Sequence, residues 1–215
     1  MSKAIRLTKT GGAEVLQYQD FDPGLPAAGE VQLRHTAIGL NYIDVYDRTG
    51  LYPMPLPGGL GREAAGVVVA LGPKTKGFRK GDRVAYVHTI PGAYCEVRNV
   101  PADRLVKLPR GISDEQAAAL MLKGLTAQYL LRRTYRVQRG DWVLVHAAVG
   151  GVGIILCQWA RALGAKVIGI VGSEAKAALA KTSGCHHVLV AGRDTLPDSV
   201  RKITKGSGVA VVYDS

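Results

Sequence analysis

An apolar run from Trp142 to Ala147 stops at Gly150-Gly151-Val152-Gly153, and a second apolar segment, Ile154 to Leu163, follows and closes on Gly164. A strand, a tight glycine-rich turn and a helix in that order leave backbone N–H groups at a helix N-terminus, where a pyrophosphate binds. Counted from Ala148 the loop reads Ala-x-Gly-x-x-Gly, one residue short of the usual fingerprint. Gly150 lets the backbone approach phosphates, and Gly153 lets the helix pack closely on the sheet. By itself the loop also suits an ordinary strand-turn-helix connection with small residues for packing. Its surroundings favour the nucleotide.

Those surroundings alternate. From Asp141 onward the pattern predicts strand 142–147, helix 151–163, strand 166–171, helix 174–182, strand 187–190, a helix near 197–204 and strand 209–213. Such alternation means βαβ units and a parallel sheet covered on both faces. Residues 1 to about 110 have a different grammar, with short strands at 4–7, 15–21, 31–38, 65–71, 83–87 and 94–97. They are punctuated by Gly11-Gly12, Pro23-Gly24, Gly72-Pro73 and Gly81-Asp82. This predicts a compact β-barrel or folded sheet. Between the halves, Ser113-Asp114-Glu115-Gln116 fits a capping box that opens a helix. Gly124 is expected to break or bend that helix before a second stretch, Leu125 to Arg132. We therefore divide the chain into 1–124 and 125–215.

No apolar run approaches the length of a membrane span, and the N-terminus lacks the apolar stretch of a signal peptide. Cys95, Cys157 and Cys185 show no paired spacing. They suit a reducing, cytoplasmic setting and cannot make a four-thiolate zinc site. The net charge of +11 attracts phosphate-bearing ligands and nucleic acid alike. No nucleic-acid motif, aromatic-basic interleaving or basic tail accompanies it. No tyrosine has a lysine four residues on, which argues against the Tyr-x-x-x-Lys pair of short-chain dehydrogenases.

A sheet that binds NADH places an acid about 20 residues after the start of the loop, where it grips the ribose 2′-OH. Here the window Ile168 to Ser173 holds none, and Glu174 already lies in the next helix. Ser173 and Lys176 offer a hydroxyl and an ammonium to a 2′-phosphate instead. This favours NADPH, although a lysine on a solvated helix face is common.

Several strings resemble the zinc-free quinone oxidoreductases of the medium-chain dehydrogenase/reductase superfamily, the relatives of ζ-crystallin. They are Gly11 to Leu16, Ala37-Ile38-Gly39-Leu40-Asn41-Tyr42-Ile43-Asp44, Arg48 to Pro53, Leu122 to Ala127 and His146 to Gly153. They run in family order over the whole chain. The resemblance implies an α/β protein: a GroES-like, mainly-β catalytic domain, then a partial Rossmann doubly wound parallel sheet. It also implies a cytoplasmic NADPH:quinone oxidoreductase, homodimeric in its full-length form, that passes hydride to a quinone or other small electrophilic acceptor such as an enone. Neither metal nor flavin takes part.

The same resemblance assigns residues. Asn41 and Tyr52 face nicotinamide and quinone, and Tyr42, Ile43, Asp44, Val45 and Tyr46 lie along the cofactor. Lys123 and Thr126 approach from the helix, with Tyr129 a neighbour of the cofactor. Gly151 and Val152 hold the pyrophosphate, with Gly150 and Gly153 in the same cofactor-binding loop, and Gly172, Ser173 and Lys176 surround the adenosine phosphate. Asn41, Tyr52 and Lys123 are donors suited to an acceptor oxygen that gains negative charge during hydride transfer. Read singly, Tyr52 also suits loop packing, Lys123 a solvated position and Asn41 a helix cap. Zinc-dependent relatives carry Gly-His-Glu where this chain has Gly61-Arg62-Glu63, and arginine cannot ligate zinc.

Two departures stand out. Family members place a tyrosine after the third Rossmann strand, whereas Leu189-Val190-Ala191-Gly192-Arg193 has no aromatic residue. Arg193 would have to compensate electrostatically. The sequence also ends with four Rossmann strands where the six-stranded fold has two more, and without a segment returning to the first domain. Strand 209–213 is thus expected as an apolar sheet edge prone to association. The runner-up reading is a nucleotide- or RNA-binding ζ-crystallin-like protein with little turnover.

Overall fold

In the computed structural model, which describes residues 1–192 and 195–214, the chain divides into two units, Met1–Leu122 and Lys123–Ser215. The first contains β1 (Ser2–Leu7), β2 (Gln17–Phe21), β3 (Glu30–Gly39), α1 (Tyr42–Thr49), β4 (Gly58–Gly59), β5 (Glu63–Leu71), β6 (Arg83–Val87), β7 (Val97–Pro101) and β8 (Leu105–Lys107). Helix α2 (Asp114–Tyr129) carries the division between the units. The second continues with β9 (Trp142–Val145), α3 (Gly151–Ala162), β10 (Lys166–Val171), α4 (Ala177–Thr182), β11 (His187–Val190), α5 (Leu196–Ile203) and β12 (Val211–Tyr213).

In the first unit the strands make two antiparallel sheets, in the orders β2-β1-β4 and β7-β3-β5-β6-β8. Residues 94–96 stitch them together. Ile5 N donates to Tyr94 O at 2.7 Å, Glu96 N to Lys3 O at 2.9 Å, and His35 N to Glu96 O at 2.8 Å. The strand expected at 94–97 is therefore this connector, and the ladder proper begins at Val97. The strand expected from Val15 starts at Gln17, because Ala13–Val15 forms a 3-10 turn. Alternation along β3 sends Val31 and Leu33 inward to pack with Val68, Val84, Tyr86 and Val100 in one buried cluster. Strand side chains alternate between faces, so this pattern fixes the register of the five-stranded sheet.

Helix α1 begins at its N-cap, Asn41, and ends at Gly50, whose φ of 83° is the left-handed geometry that glycine adopts without cost. The capping box of α2 is present: Gln116 N donates to Ser113 Oγ at 3.1 Å, and Ser113 N to Gln116 Oε1 at 2.9 Å. Gly124 does not break α2, which runs on through Tyr129 into a π-helical turn at Leu130–Thr134. A glycine costs a helix interior about 1 kcal/mol. Here burial of Ala117, Ala118, Ala127 and Leu131 along the same helix outweighs that cost.

The second unit is a parallel sheet in the order β11-β10-β9-β12. One face packs Val143, Val145, Val167 and Val171 against Leu156, Cys157 and Ala160 of α3 and Ala180 of α4. The opposite face packs Leu144, Ile168, Ile170 and Leu189 against Leu196, Val200 and Ile203 of α5. Helices on both faces make the strands apolar throughout, as the sequence pattern requires. The sheet order turns back on itself between β9 and β12. Ligands bind beyond the carboxyl ends of strands at such a switch point. Among the described residues β12 pairs with β9 alone, and its Val212 is half-exposed.

Candidate functional site

Two groups of residues qualify, one in each unit. In the second unit, β9 ends in a turn at Ala147, whose φ of 46° is left-handed, and Gly150 N returns to Ala147 O at 2.7 Å. Gly150 is the N-cap of α3, and Ile154 N closes the first helical turn on Gly150 O at 3.0 Å. The N–H groups of Gly151, Val152 and Gly153 precede that first bond, so the helix itself leaves them as donors. Glycine is required inside this loop. A Cβ on Gly153 would run into the carbonyl oxygen of Ala147, with the Ala147 and Ala148 carbonyl carbons 3.0 Å away. A Cβ on Gly151 would meet Lys123 Cε at 2.9 Å. The Lys123 stem therefore lies directly across the start of α3 and brings an ammonium to the helix N-terminus.

Beyond the carboxyl end of β10, Gly172 faces open space and Ser173 begins a 3-10 turn at Glu174–Lys176. Lys176 N donates to Ser173 O at 3.1 Å, and the Lys176 side chain is exposed. Thr126 is half-buried one turn along α2 from Lys123, and Tyr129 is 49% exposed a further turn on. Arg193 lies outside the described residues.

The donor set suits a dinucleotide phosphate. Three consecutive N–H groups at a helix N-terminus would hold the pyrophosphate, with Lys123 beside them. Ser173 and Lys176 would meet a phosphate on the adenosine ribose. β10 and the two residues after it carry no carboxylate, and Glu174 stands in the 3-10 turn that follows.

In the first unit, α1 presents Tyr42 and Tyr46 edge-on, with ring centroids 5.1 Å apart and 83° between their planes. Tyr52 extends the series at 5.4 Å and 60° from Tyr46. Tyr42 is 70% exposed and Tyr52 45%, so this is a surface aromatic ladder with phenol donors. Ile43 and Val45 are half-buried on the same helix. Asp44 faces the interior: its Oδ2 accepts from Asn41 N at 2.9 Å and from the Tyr94 hydroxyl at 2.8 Å. Burial, opposed by those two hydrogen bonds, raises the pKa of Asp44 above the ordinary carboxylate range. Its Oδ1 is buried without a partner.

Asn41 is buried at 7% exposure, and its Nδ2 donates to Glu63 Oε1 at 2.7 Å. Glu63 is fully buried, and its Oε2 accepts from Leu122 N in α2 at 2.6 Å. No local sequence pattern marks Glu63 as a site residue; the string Gly61-Arg62-Glu63 stands out only as the place where zinc-dependent relatives carry histidine. Arg62 there grips the buried Asp47, Nε to Oδ2 at 3.0 Å and Nη2 to Oδ1 at 2.7 Å, and its Nη1 donates to Thr89 O. Among the described residues, no three His, Cys, Asp or Glu side chains gather as a metal site would need. Nor is any helix among them long and apolar enough to cross a membrane.

Comparison with known proteins bears on both groups. A model of the alcohol dehydrogenase GroES-like domain matches residues 27–110, and one of the zinc-binding dehydrogenase family matches residues 151–215. Quinone oxidoreductase of Pseudomonas aeruginosa is 50% identical over 100% of this chain, which spans 66% of that relative's length. The crystal structure of the quinone oxidoreductase of Pseudomonas syringae pv. tomato superposes with a TM-score of 0.97 at 53% identity, over 100% of this chain and 66% of that one. That of Escherichia coli quinone oxidoreductase, complexed with NADPH, gives 0.96 at 50% identity over 99% of this chain and 66% of that one.

Proposed function

Since the chain belongs to the zinc-free quinone oxidoreductases of the medium-chain dehydrogenase/reductase superfamily, we propose that it reduces a quinone or an enone at the expense of NADPH. The observation that carries this reading is the Lys123 stem lying across Gly151 at the start of α3, with Ser173 and Lys176 in place of an acid beyond β10. An ammonium at a helix N-terminus and a second cation at the ribose end match the charges of NADPH.

When bound, NADPH supplies the hydride. The chain's own residues supply position and charge. The N–H groups of Gly151 to Gly153 hold the pyrophosphate, and Ser173 and Lys176 read the 2′-phosphate. Tyr42, Tyr46 and Tyr52 offer flat faces and phenol edges to a planar ring. Asn41, Tyr52 and Lys123 are the donors for the acceptor oxygen, on which negative charge develops as hydride arrives. Asp44 contributes through the cap of α1 rather than by contact, since its carboxylate is turned inward. No protein nucleophile is required.

The partners in this reading are a small electrophilic acceptor and a second copy of the full-length protein, in the cytoplasm, with no role for nucleic acid. The test is oxidation of NADPH by the full chain with a simple quinone and with an enone. Turnover with NADPH well above that with NADH supports the assignment. Absence of NADPH oxidation with either acceptor overturns it. RNA binding that persists at physiological salt would instead favour a nucleic-acid role.

A further inference from the structure

Glu63 occupies a position that packing alone does not explain. It opens β5 opposite Gly39 of β3, and its side chain passes over that glycine toward α2. A Cβ on Gly39 would collide with Glu63 Cγ and with the carbonyl oxygen of Ala118. The glycine thus makes room for a fully buried carboxylate. One oxygen takes the Asn41 amide nitrogen at 2.7 Å, and the other takes the Leu122 backbone N–H at 2.6 Å. The carboxylate therefore ties Asn41 to the turn of α2 immediately before Lys123.

We propose that Glu63 is a positioning residue for hydride transfer, fixing the sense of the Asn41 side-chain amide. This rests on the reading of Asn41 as a donor to the acceptor oxygen. A carboxylate only accepts hydrogen bonds, so it admits the Asn41 amide in one sense, nitrogen toward Glu63. One Nδ2–H is consumed, the side-chain oxygen faces the Asp44 backbone N–H in the capping box of α1, and the second N–H is left in a fixed direction. A flipped amide would exchange donor for acceptor and set an oxygen lone pair where negative charge is to develop. The buried bond holds that arrangement in advance of the reaction.

Glu63→Gln separates positioning from packing. Its carbonyl oxygen still serves Leu122 N, which leaves its NH2 facing the Asn41 NH2. Two donors cannot pair, and Asn41 relieves the clash by flipping. The expected result is a kcat for quinone reduction lower by about 10- to 100-fold, with KM for NADPH within about twofold. The Asn41 side-chain 15N–1H resonances, assigned by their loss in Asn41→Asp, should shift as their carboxylate partner disappears.

The double variant Glu63→Gln/Asn41→Asp restores a donor-acceptor pair in the reversed sense. It should recover the melting temperature lost in Glu63→Gln while kcat stays low. Recovery of kcat together with melting temperature would make the bond a structural cross-link and overturn the proposal. So would an active wild type whose Glu63→Gln variant turns over unchanged. A wild type that oxidises no NADPH with quinone or enone overturns the functional reading and the role of Glu63 with it. In that case the amide resonances still report whether Glu63 holds Asn41.

Discussion

Arg62 holds the buried carboxylate of Asp47 in a two-pronged grip, Nε to Oδ2 at 3.0 Å and Nη2 to Oδ1 at 2.7 Å. The Asp47 side chain is fully buried and that of Arg62 is 16% exposed, so solvent screens the pair little. Removing one member of such a pair strands the other charge, at a cost of about 3–5 kcal/mol. Arg62→Ala should lower stability by that amount in urea titration. Arg62→His introduces the residue that zinc-dependent relatives carry, but Asp47 loses its fork, and among the described residues no three His, Cys, Asp or Glu side chains gather as a metal site would need. Metal analysis of Arg62→His should find no stoichiometric zinc, and zinc bound one-to-one would show a ligand set that the fold conceals.

In the proposed reading, cofactor choice turns on Lys176. Its side chain is exposed in the 3-10 turn that Ser173 caps, and the acid in that turn, Glu174, comes after the end of β10 and Ser173. Lys176→Ala should weaken NADPH by about ten- to hundredfold, the value of a lost charge-assisted hydrogen bond, and leave NADH nearly unchanged. Titration with both cofactors at one ionic strength decides it. Equal losses would show that Lys176 does not read the phosphate.

Two glycines of the second unit should respond oppositely to a methyl group. Gly172→Ala meets open space, so its melting temperature should match the wild type. Gly153→Ala drives a Cβ into the carbonyl of Ala147, and only the backbone can yield. Overpacking of this kind costs about 1–3 kcal/mol. Because the displaced atoms form the loop itself, NADPH affinity should fall about tenfold for every 1.4 kcal/mol withdrawn from pyrophosphate binding. A Gly153→Ala protein with wild-type melting and affinity would show that the loop has room the geometry denies.

Much of this architecture is legible in local sequence. The capping box at Ser113 and Gln116, strands 83–87, 166–171 and 187–190, and the glycine loop are each set by residues within a few positions of one another. What escaped was decided at long range. The ladder from Glu30 to Arg34 pairs with Val97 to Pro101, far along the chain, and no local pattern announces where β7 starts. Gly124 carries a helix-breaking preference that packing of α2 overrides. Glu63 was hidden for the same reason: its partners, Asn41 and Leu122, lie 22 and 59 residues away. Only the string Gly39-x-Asn41, whose glycine stands opposite Glu63 in the sheet, could have pointed to it.

A buried histidine gives the fold a pH dependence of defined sign. His35 Nδ1 donates to Cys95 O at 2.7 Å, and its Nε2 accepts from the Tyr86 hydroxyl at 3.1 Å. Arg98 in turn donates to that hydroxyl at 3.3 Å. Every member is satisfied with the ring neutral. Burial, reinforced by the Arg98 charge and opposed by the bond to Cys95 O, pushes the His35 pKa down from 6.5 to about 4. The unfolded chain therefore binds a proton between these values that the folded chain refuses. Stability supplied by neutral His35 is complete above pH 6.5 and drains away as pH falls toward 4, by about 3 kcal/mol in all. His88 and His186, whose pKa values burial also lowers, and Asp44, whose pKa burial raises, add their own pH dependence to the stability. The quantity to measure is accordingly the stability of wild type minus that of His35→Gln. Urea titrations at steps from pH 4.5 to 7.5 should show this difference rising with pH through the window and flat above it. A difference independent of pH would mean that His35 is protonated as readily in the fold as in water, and that the Arg98–Tyr86–His35–Cys95 chain is not held with a neutral ring.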